Sequence, residues 1–146
     1  MAYESQGAVL YYSSSTSAST TVHAHVGEVV DFTAITGAAA IIDVTHLQST
    51  AKEKMIGLCD MGQVTVNVNC IATQTGQVMC WDAMKSRAKR KLSIFLNDTG
   101  ITQIDCDAYC MSMPITASVD GKITRSITFE LSGLATFSTV AAIPTH

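Results

Sequence analysis

The sequence predicts a mainly β domain, an antiparallel sandwich or barrel with one helix on its flank. Three observations carry this. In the run 121–133, Ile123, Ile127, Phe129 and Leu131 take odd positions, while Lys122, Thr124, Ser126, Thr128, Glu130 and Ser132 take even ones. In a second run, Val64, Val66 and Val68 alternate with Thr65, Asn67 and Asn69. Side chains alternate across a strand, so each run has an apolar face and a face of small polar groups. Elsewhere short apolar segments are cut by turn residues, and only one stretch has helical spacing.

The elements follow in order. Residues 1–21 show little periodicity and contain a Ser/Thr-rich run, so they read as part of an N-terminal arm, 1–25, ordered by a partner. Residues 26–34 read as a strand that Thr36-Gly37 breaks, and 40–44 as a second short strand. Residues 46–62 form a long polar connection ending in Gly57-Leu58-Cys59-Asp60-Met61-Gly62. Loops longer than about 12–15 residues in compact domains tend to be functional. After the strand at 64–72, the single helix spans about 76–88, with Thr75 as N-cap. Val78, Trp81, Met84 and Ala88 form its apolar stripe, and Trp81, the sole tryptophan, is expected to anchor it on the sheet. Residues 92–96 are a strand. Asn97-Asp98-Thr99-Gly100 is a turn, with Gly100 in the position that tolerates positive φ. Residues 101–114 are a long strand, and Asp120-Gly121 is a hairpin signal before the final strand. Residues 135–146 form a C-terminal extension. No linker divides the chain, so 1–146 reads as one domain.

Composition points to an assembly. Only 14% of residues are charged, against about 25% in average domains. So sparse a charge leaves a sticky surface that burial between copies would cure. No apolar run of about 18 residues supports a membrane-spanning helix, and no membrane insertion is expected. Residues 1–6 lack a basic leader and an apolar signal core, so the protein is expected to be made and used in a cytoplasm or released by lysis. The five cysteines cannot all pair within one chain, and Cys70, Cys80, Cys106 and Cys110 lie in apolar segments. They read as buried reduced thiols.

Chemistry-bearing residues are few. His23 and His25 share a face if extended, but no second ligand cluster is near, and metal binding is not expected. Asp105 and Asp107 share a strand face without a partner nucleophile. Nucleophile elbow, phosphate loop and zinc-helix motifs are missing from the sequence. Neither an enzyme nor a cofactor is expected. Five of the nine basic residues crowd into Lys85, Arg87, Lys89, Arg90 and Lys91, leaving four against twelve acidic residues elsewhere. The cluster reads as a solvated helix end whose cations complement the helix dipole, since no aromatics interleave it to stack bases.

Several strings, in order, resemble the major tail tube proteins of long-tailed, siphovirus-like bacteriophages. They are Val26-Gly27-Glu28, Ile42-Asp43-Val44-Thr45-His46, Gly57-Leu58-Cys59-Asp60-Met61-Gly62, the helix at 77–87 and Ser126-Ile127-Thr128-Phe129-Glu130-Leu131-Ser132-Gly133. The resemblance spans roughly residues 26–134. It implies the phage tail tube fold, related to tubes of contractile tails and type VI secretion. It also implies homo-hexameric rings stacked into a hollow tube in the virion tail, assembled in the host cytoplasm. The implied partners are tape measure, tail terminator and distal tail proteins, with double-stranded DNA passing without sequence-specific binding. The immunoglobulin-like C-terminal domain of some members is not expected here.

On that reading, Thr65, Asn67, Asn69, Thr124, Ser126, Thr128 and Glu130 are the candidates to line the lumen, and the basic helix end belongs outside it. A one-residue slip of register would exchange the faces. Leu47, Gln48, Ser49, Thr50, Lys52, Glu53 and Lys54 are the candidates to reach the adjacent ring. The alternatives are a ring-forming tail completion or secretion-tube protein of the same fold, or a small β-barrel module whose 46–62 loop holds a ligand.

Overall fold

The computed structural model describes residues 7–13, 23–33 and 35–142. Its elements are β1 (Val9–Ser13), β2 (His23–His25), β3 (Val29–Phe32), β4 (Ala38–Asp43), β5 (Lys54–Asp60), β6 (Gln63–Asn69), α1 (Thr75–Ser86), β7 (Arg90–Phe95), β8 (Thr102–Ser112), β9 (Ile115–Thr116) and β10 (Thr124–Thr139). The large sheet runs β2-β1-β7-β8-β10-β6-β3, with β9 paired to β10, while β4 and β5 pair only with each other. All pairings are antiparallel, in line with the fold class expected from sequence.

Connectivity forces the sheet to curl. β2 and β3 lie at its opposite edges, yet only residues 26–28 separate them. The two edges must therefore approach each other. Gly27 and Glu28 make the corner with φ of 73° and 40°, and Val26 N–H donates to the Leu10 carbonyl at 3.0 Å. Val9 and Leu10 of β1 line one small cavity with Val29 and Phe32 of β3.

The inside of the curl is the core. In register across it lie Leu10 and Ile94, Tyr12 and Leu92, Ile94 and Ile104, Leu92 and Cys106, Phe129 and Cys110, Leu131 and Ala108, then Ile127 and Val66, Phe129 and Val64. All are buried. Register thus follows the alternating pattern, because any slip would bring the polar set inward. Ile123, expected in the same apolar set, precedes β10 and is exposed. Three cysteines, Cys80, Cys106 and Cys110, are buried and free; Cys70 is partly buried and Cys59 exposed. Burial pushes the thiols of Cys106 and Cys110 up to about 11, so they pack as small apolar groups rather than react.

Helix α1 packs against β8, β1 and β2 through a face different from the one expected. Its buried residues are Gly76, Gln77, Cys80 and Ala83. A methyl group added at Gly76 would overlap the His25 carbonyl, so the small residue permits close approach. Gln77 fastens the helix start: its Nε2 donates to the Asn69 carbonyl at 2.9 Å and its Oε1 accepts from Ile71 N–H at 3.2 Å. Trp81 is 45% exposed and Val78 42%, so Trp81 is not the buried anchor. Small side chains, not the largest one, set the contact distance. The cap is Gln74, whose side chain donates to the His25 carbonyl at 3.0 Å instead of capping the helix, and Thr75 is the first helical residue. Trp81→Ala should therefore melt within about 1 kcal/mol of the parent protein. A loss of the 3–5 kcal/mol typical of buried tryptophan would restore the anchoring role.

Other boundaries also shift. Within the expected arm, β1 is a core strand with Leu10, Tyr11 and Tyr12 all buried, while residues 1–6 and 14–22 lie outside the described residues. The expected 46–62 loop is half strand: β5 occupies 54–60, leaving residues 44–53 as the tip of the β4–β5 hairpin. The first five residues of the expected C-terminal extension, 135–139, are the end of β10, which continues to Thr139 past a register shift between Ser132 and Thr136, and 143–146 lie outside the described residues. In the 97–100 turn, positive φ falls on Ile101, at 46°, rather than on Gly100. There the Asp98 carboxylate accepts from Thr102 N–H and hydroxyl at 2.8 and 2.5 Å. The carbonyl of the same residue accepts from Ile101 N–H.

Candidate functional site

The outer face of the curled sheet carries the small polar residues. Pairing β10 with β6 sets Thr128 opposite Thr65, Ser126 opposite Asn67 and Thr124 opposite Asn69, and Glu130 opposite Gln63. The seven candidates named from sequence thus share one face, because their apolar neighbours in each strand are buried on the other.

Hydrogen bonds knit this face crosswise. The hydroxyls of Thr65 and Thr128 are 3.3 Å apart. Ser126 donates to Asn67 Oδ1 at 2.7 Å, and Asn67 Nδ2 donates to Asp31 Oδ1 at 2.5 Å. Asn69 Nδ2 donates to Glu28 Oε2 at 3.0 Å. Interstrand polar pairs of this kind fix side-chain orientation. The result is a surface of short, mutually bonded groups.

Neighbouring strands add charge that the two alternating runs do not show. β8 lies on the other side of β10, with Asp107 opposite Ser132 and Tyr109 opposite Glu130. β7 follows, with Lys91 opposite Asp107 and Ser93 opposite Asp105. Asp105 accepts from Ser93 at 2.6 Å and from Gln103 at 2.8 Å, and lies 3.7 Å from Lys91 Nζ. Glu28, Asp31, Asp105, Asp107 and Glu130 thus set five carboxylates around a single ammonium, Lys91, on the mapped part of this face. Asp105 and Asp107, noted from sequence as sharing a face, are part of it.

Three other residues of the basic cluster lie elsewhere. Lys85 pairs with Asp82 at 3.2 Å in the last turn of α1, and Arg87 forms the left-handed C-cap. Arg90 opposes Ala108 on the core side and donates to the Met79 carbonyl at 3.2 Å. Only Lys91 of the five is placed on the polar face, an exception to the expectation that the cluster lies wholly on the helix side. Among the described residues no group of three or more His, Cys, Asp or Glu could hold a metal. No helix among them is long and apolar enough to cross a membrane.

The inter-ring candidates cap the separate hairpin. Asp43 accepts from Thr45 N–H and hydroxyl at 3.0 and 2.6 Å. Glu53 N–H donates to Thr45 Oγ1 at 2.9 Å, and Val44 N–H to the Glu53 carbonyl at 2.9 Å. The tip is ordered by its own bonds. Leu47 at its apex is fully exposed, and Ile41, Ile42, Met55, Ile56 and Leu58 along the arms are all more than half exposed.

Comparison with known proteins converges on one family. A family model described as phage tail tube, TTP, lambda-like matches residues 1–99. No curated protein matches the chain. Among solved structures, the tail of an empty gene transfer agent particle with C6 symmetry is similar, with a TM-score of 0.72 at 12% identity over 94% of this chain and 100% of that one. The SPP1 tail tube gives 0.68 at 14% identity, over 95% and 80%. A sheath-tube complex of an extracellular contractile injection system gives 0.65 at 12%, over 91% and 88%. These share the fold, and the family match covers most of the chain: it belongs to the lambda-like phage tail tube family, as a structural protein of the tail.

Proposed function

We propose that this protein forms hexameric rings that stack into the tail tube, with the polar outer face of the sheet lining the channel that carries double-stranded DNA out of the virion. The observation that carries the reading is the face itself: interlocked hydroxyls and amides with five carboxylates to one ammonium. Each cation that neutralises a phosphate adds salt-dependent affinity for DNA. A face poor in cations and rich in carboxylates lets a duplex slide instead of gripping it. The role is architectural, without catalysis. The short edge strands β2 and β3 limit stray pairing, and joining of sheets around the ring would cover them. Tape measure, terminator and distal tail proteins are the partners this role requires, and assembly would take place in the host cytoplasm.

The test places cations in the proposed channel. Thr124 and Thr128 are partly exposed and contribute nothing to the core, so Thr124→Lys with Thr128→Lys should fold and assemble. Repeated in every subunit, the change creates cationic belts. Particles with tails of normal appearance should eject DNA slowly or incompletely, with partial rescue by higher salt. Ejection at the parental rate from well-assembled particles would remove these residues from the channel wall.

A further inference from the structure

A groove of about 300 Å³ opens beside the exposed side of α1, lined by Ala72, Gln77, Val78, Trp81, Ile115 and Arg125. Trp81, Val78 and Ile115 are all exposed apolar residues in one place. Arg125 supplies the polar element. Its Nε is out of contact with solvent and has no hydrogen-bond acceptor among the described residues, and the same holds for Arg90 Nε. A buried charged donor without an acceptor is costly. The groove therefore has an apolar floor beside a guanidinium whose hydrogen-bonding is incomplete.

The β4–β5 hairpin has the complementary chemistry. At its tip Leu47 is wholly exposed and Glu53 is also exposed, its carboxylate 3.7 Å from His46 Nε2. The backbone bonds between Val44, Thr45 and Glu53 hold this tip in shape before any partner arrives, which lowers the entropy lost on docking. The hairpin's root and the groove lie apart along β10, the root at mid-strand and the groove at its start. Leu131 N–H bonds the Gly62 carbonyl at the root, while Arg125 is six residues earlier, about 20 Å at strand spacing. Two complementary surfaces at separate places on one subunit can make a head-to-tail contact, which propagates as an open stack.

We infer that the groove at Trp81 and Arg125 receives the hairpin tip of a second copy, Leu47 entering beside Trp81 and the Glu53 carboxylate meeting Arg125. This rests on the tube reading and names the surface through which successive rings engage. Occupancy of the groove by its neighbour explains why the sole tryptophan and the hairpin both remain uncovered in one chain.

Trp81 reports on this directly, since no other tryptophan contributes. Tryptophan emission and iodide quenching are recorded on purified protein before and after polymerisation, with tube formation followed by sedimentation and negative-stain microscopy. On assembly the emission should shift to shorter wavelength and quenching should fall several-fold. Arg125→Glu and Glu53→Arg should each lower tube yield at least roughly tenfold, as expected for one member of a desolvated charge pair. The double variant should recover most of that loss, with all three melting like the parent. Parental tubes in which Trp81 stays fully quenchable overturn the inference while leaving the tube reading intact. A double variant no better than either single overturns the pairing of Glu53 with Arg125. A parental protein that never forms tubes overturns both readings.

Discussion

Replacing residues 44–53 by an Asn-Gly turn should yield a stable monomer that no longer polymerises. Asp43 and Lys54 already face each other at the end of the β4–β5 ladder, so a two-residue type I′ turn can close the hairpin without rebuilding it. No residue of the segment belongs to the core cluster, and it bonds only within the hairpin. Melting should stay within about 1 kcal/mol of the parent. Assembly should suffer far more, because the variant loses Leu47 and Glu53 together. Circular dichroism checks the fold, and sedimentation with negative-stain microscopy counts tubes. Tubes of normal length and yield would show that the tip contributes nothing between rings.

The largest effect on stability is expected at Phe129. Its side chain is fully buried, its ring lies 5.1 Å from that of Tyr12, and it is paired in register with both Val64 and Cys110. It therefore joins β1, β6, β8 and β10 at one point. Phe129→Ala removes that contact and leaves a cavity, at about 3–5 kcal/mol, a large share of the 5–15 kcal/mol that holds a typical domain together. Thermal unfolding should drop by roughly 10 °C or more. Tyr12 stands to lose most nearby: its hydroxyl donates to the Ala108 carbonyl at 3.4 Å, and burial has raised its pKa. A melting point unchanged by the substitution would mean that the curl does not close over Phe129.

What was legible in the sequence follows from which residues meet water on one side only. β6 and the first half of β10 bury one face and wet the other, so their alternation identified both strands and the seven polar candidates. β5 gave no such signal. Met55, Ile56 and Leu58 are exposed on both faces of an isolated hairpin, and with no core to face, apolar residues fall in no period. β1 failed for the opposite reason: Leu10, Tyr11, Tyr12 and Ser13 are buried on both sides, and Tyr11 packs against His25 and Phe95. In α1 two stripes were equally helical, and the larger side chains drew the choice to Val78 and Trp81. Small residues at 76, 80 and 83 were the better guide, because they let the helix lie close. The carboxylates of β8 and the β2–β3 corner could not be joined to the candidate face in advance, since only the order of strands brings them there.

The link between β2 and β3 across the sheet also bears on how the chain reaches its fold. The earliest of the described strands in sequence is among the last to be enclosed: Val9 opposes Phe95, and Tyr12 packs on Phe129. Translation runs at about 5–20 residues per second, so the apolar side chains of β1 wait several seconds for partners from the distal half of the chain. Pairings this remote in sequence form slowly and leave sticky strands uncovered meanwhile. Synthesis and enclosure run in opposite directions. A subunit therefore completes its core, and with it the surfaces that neighbouring copies would recognise, only after nearly all of its residues have left the ribosome.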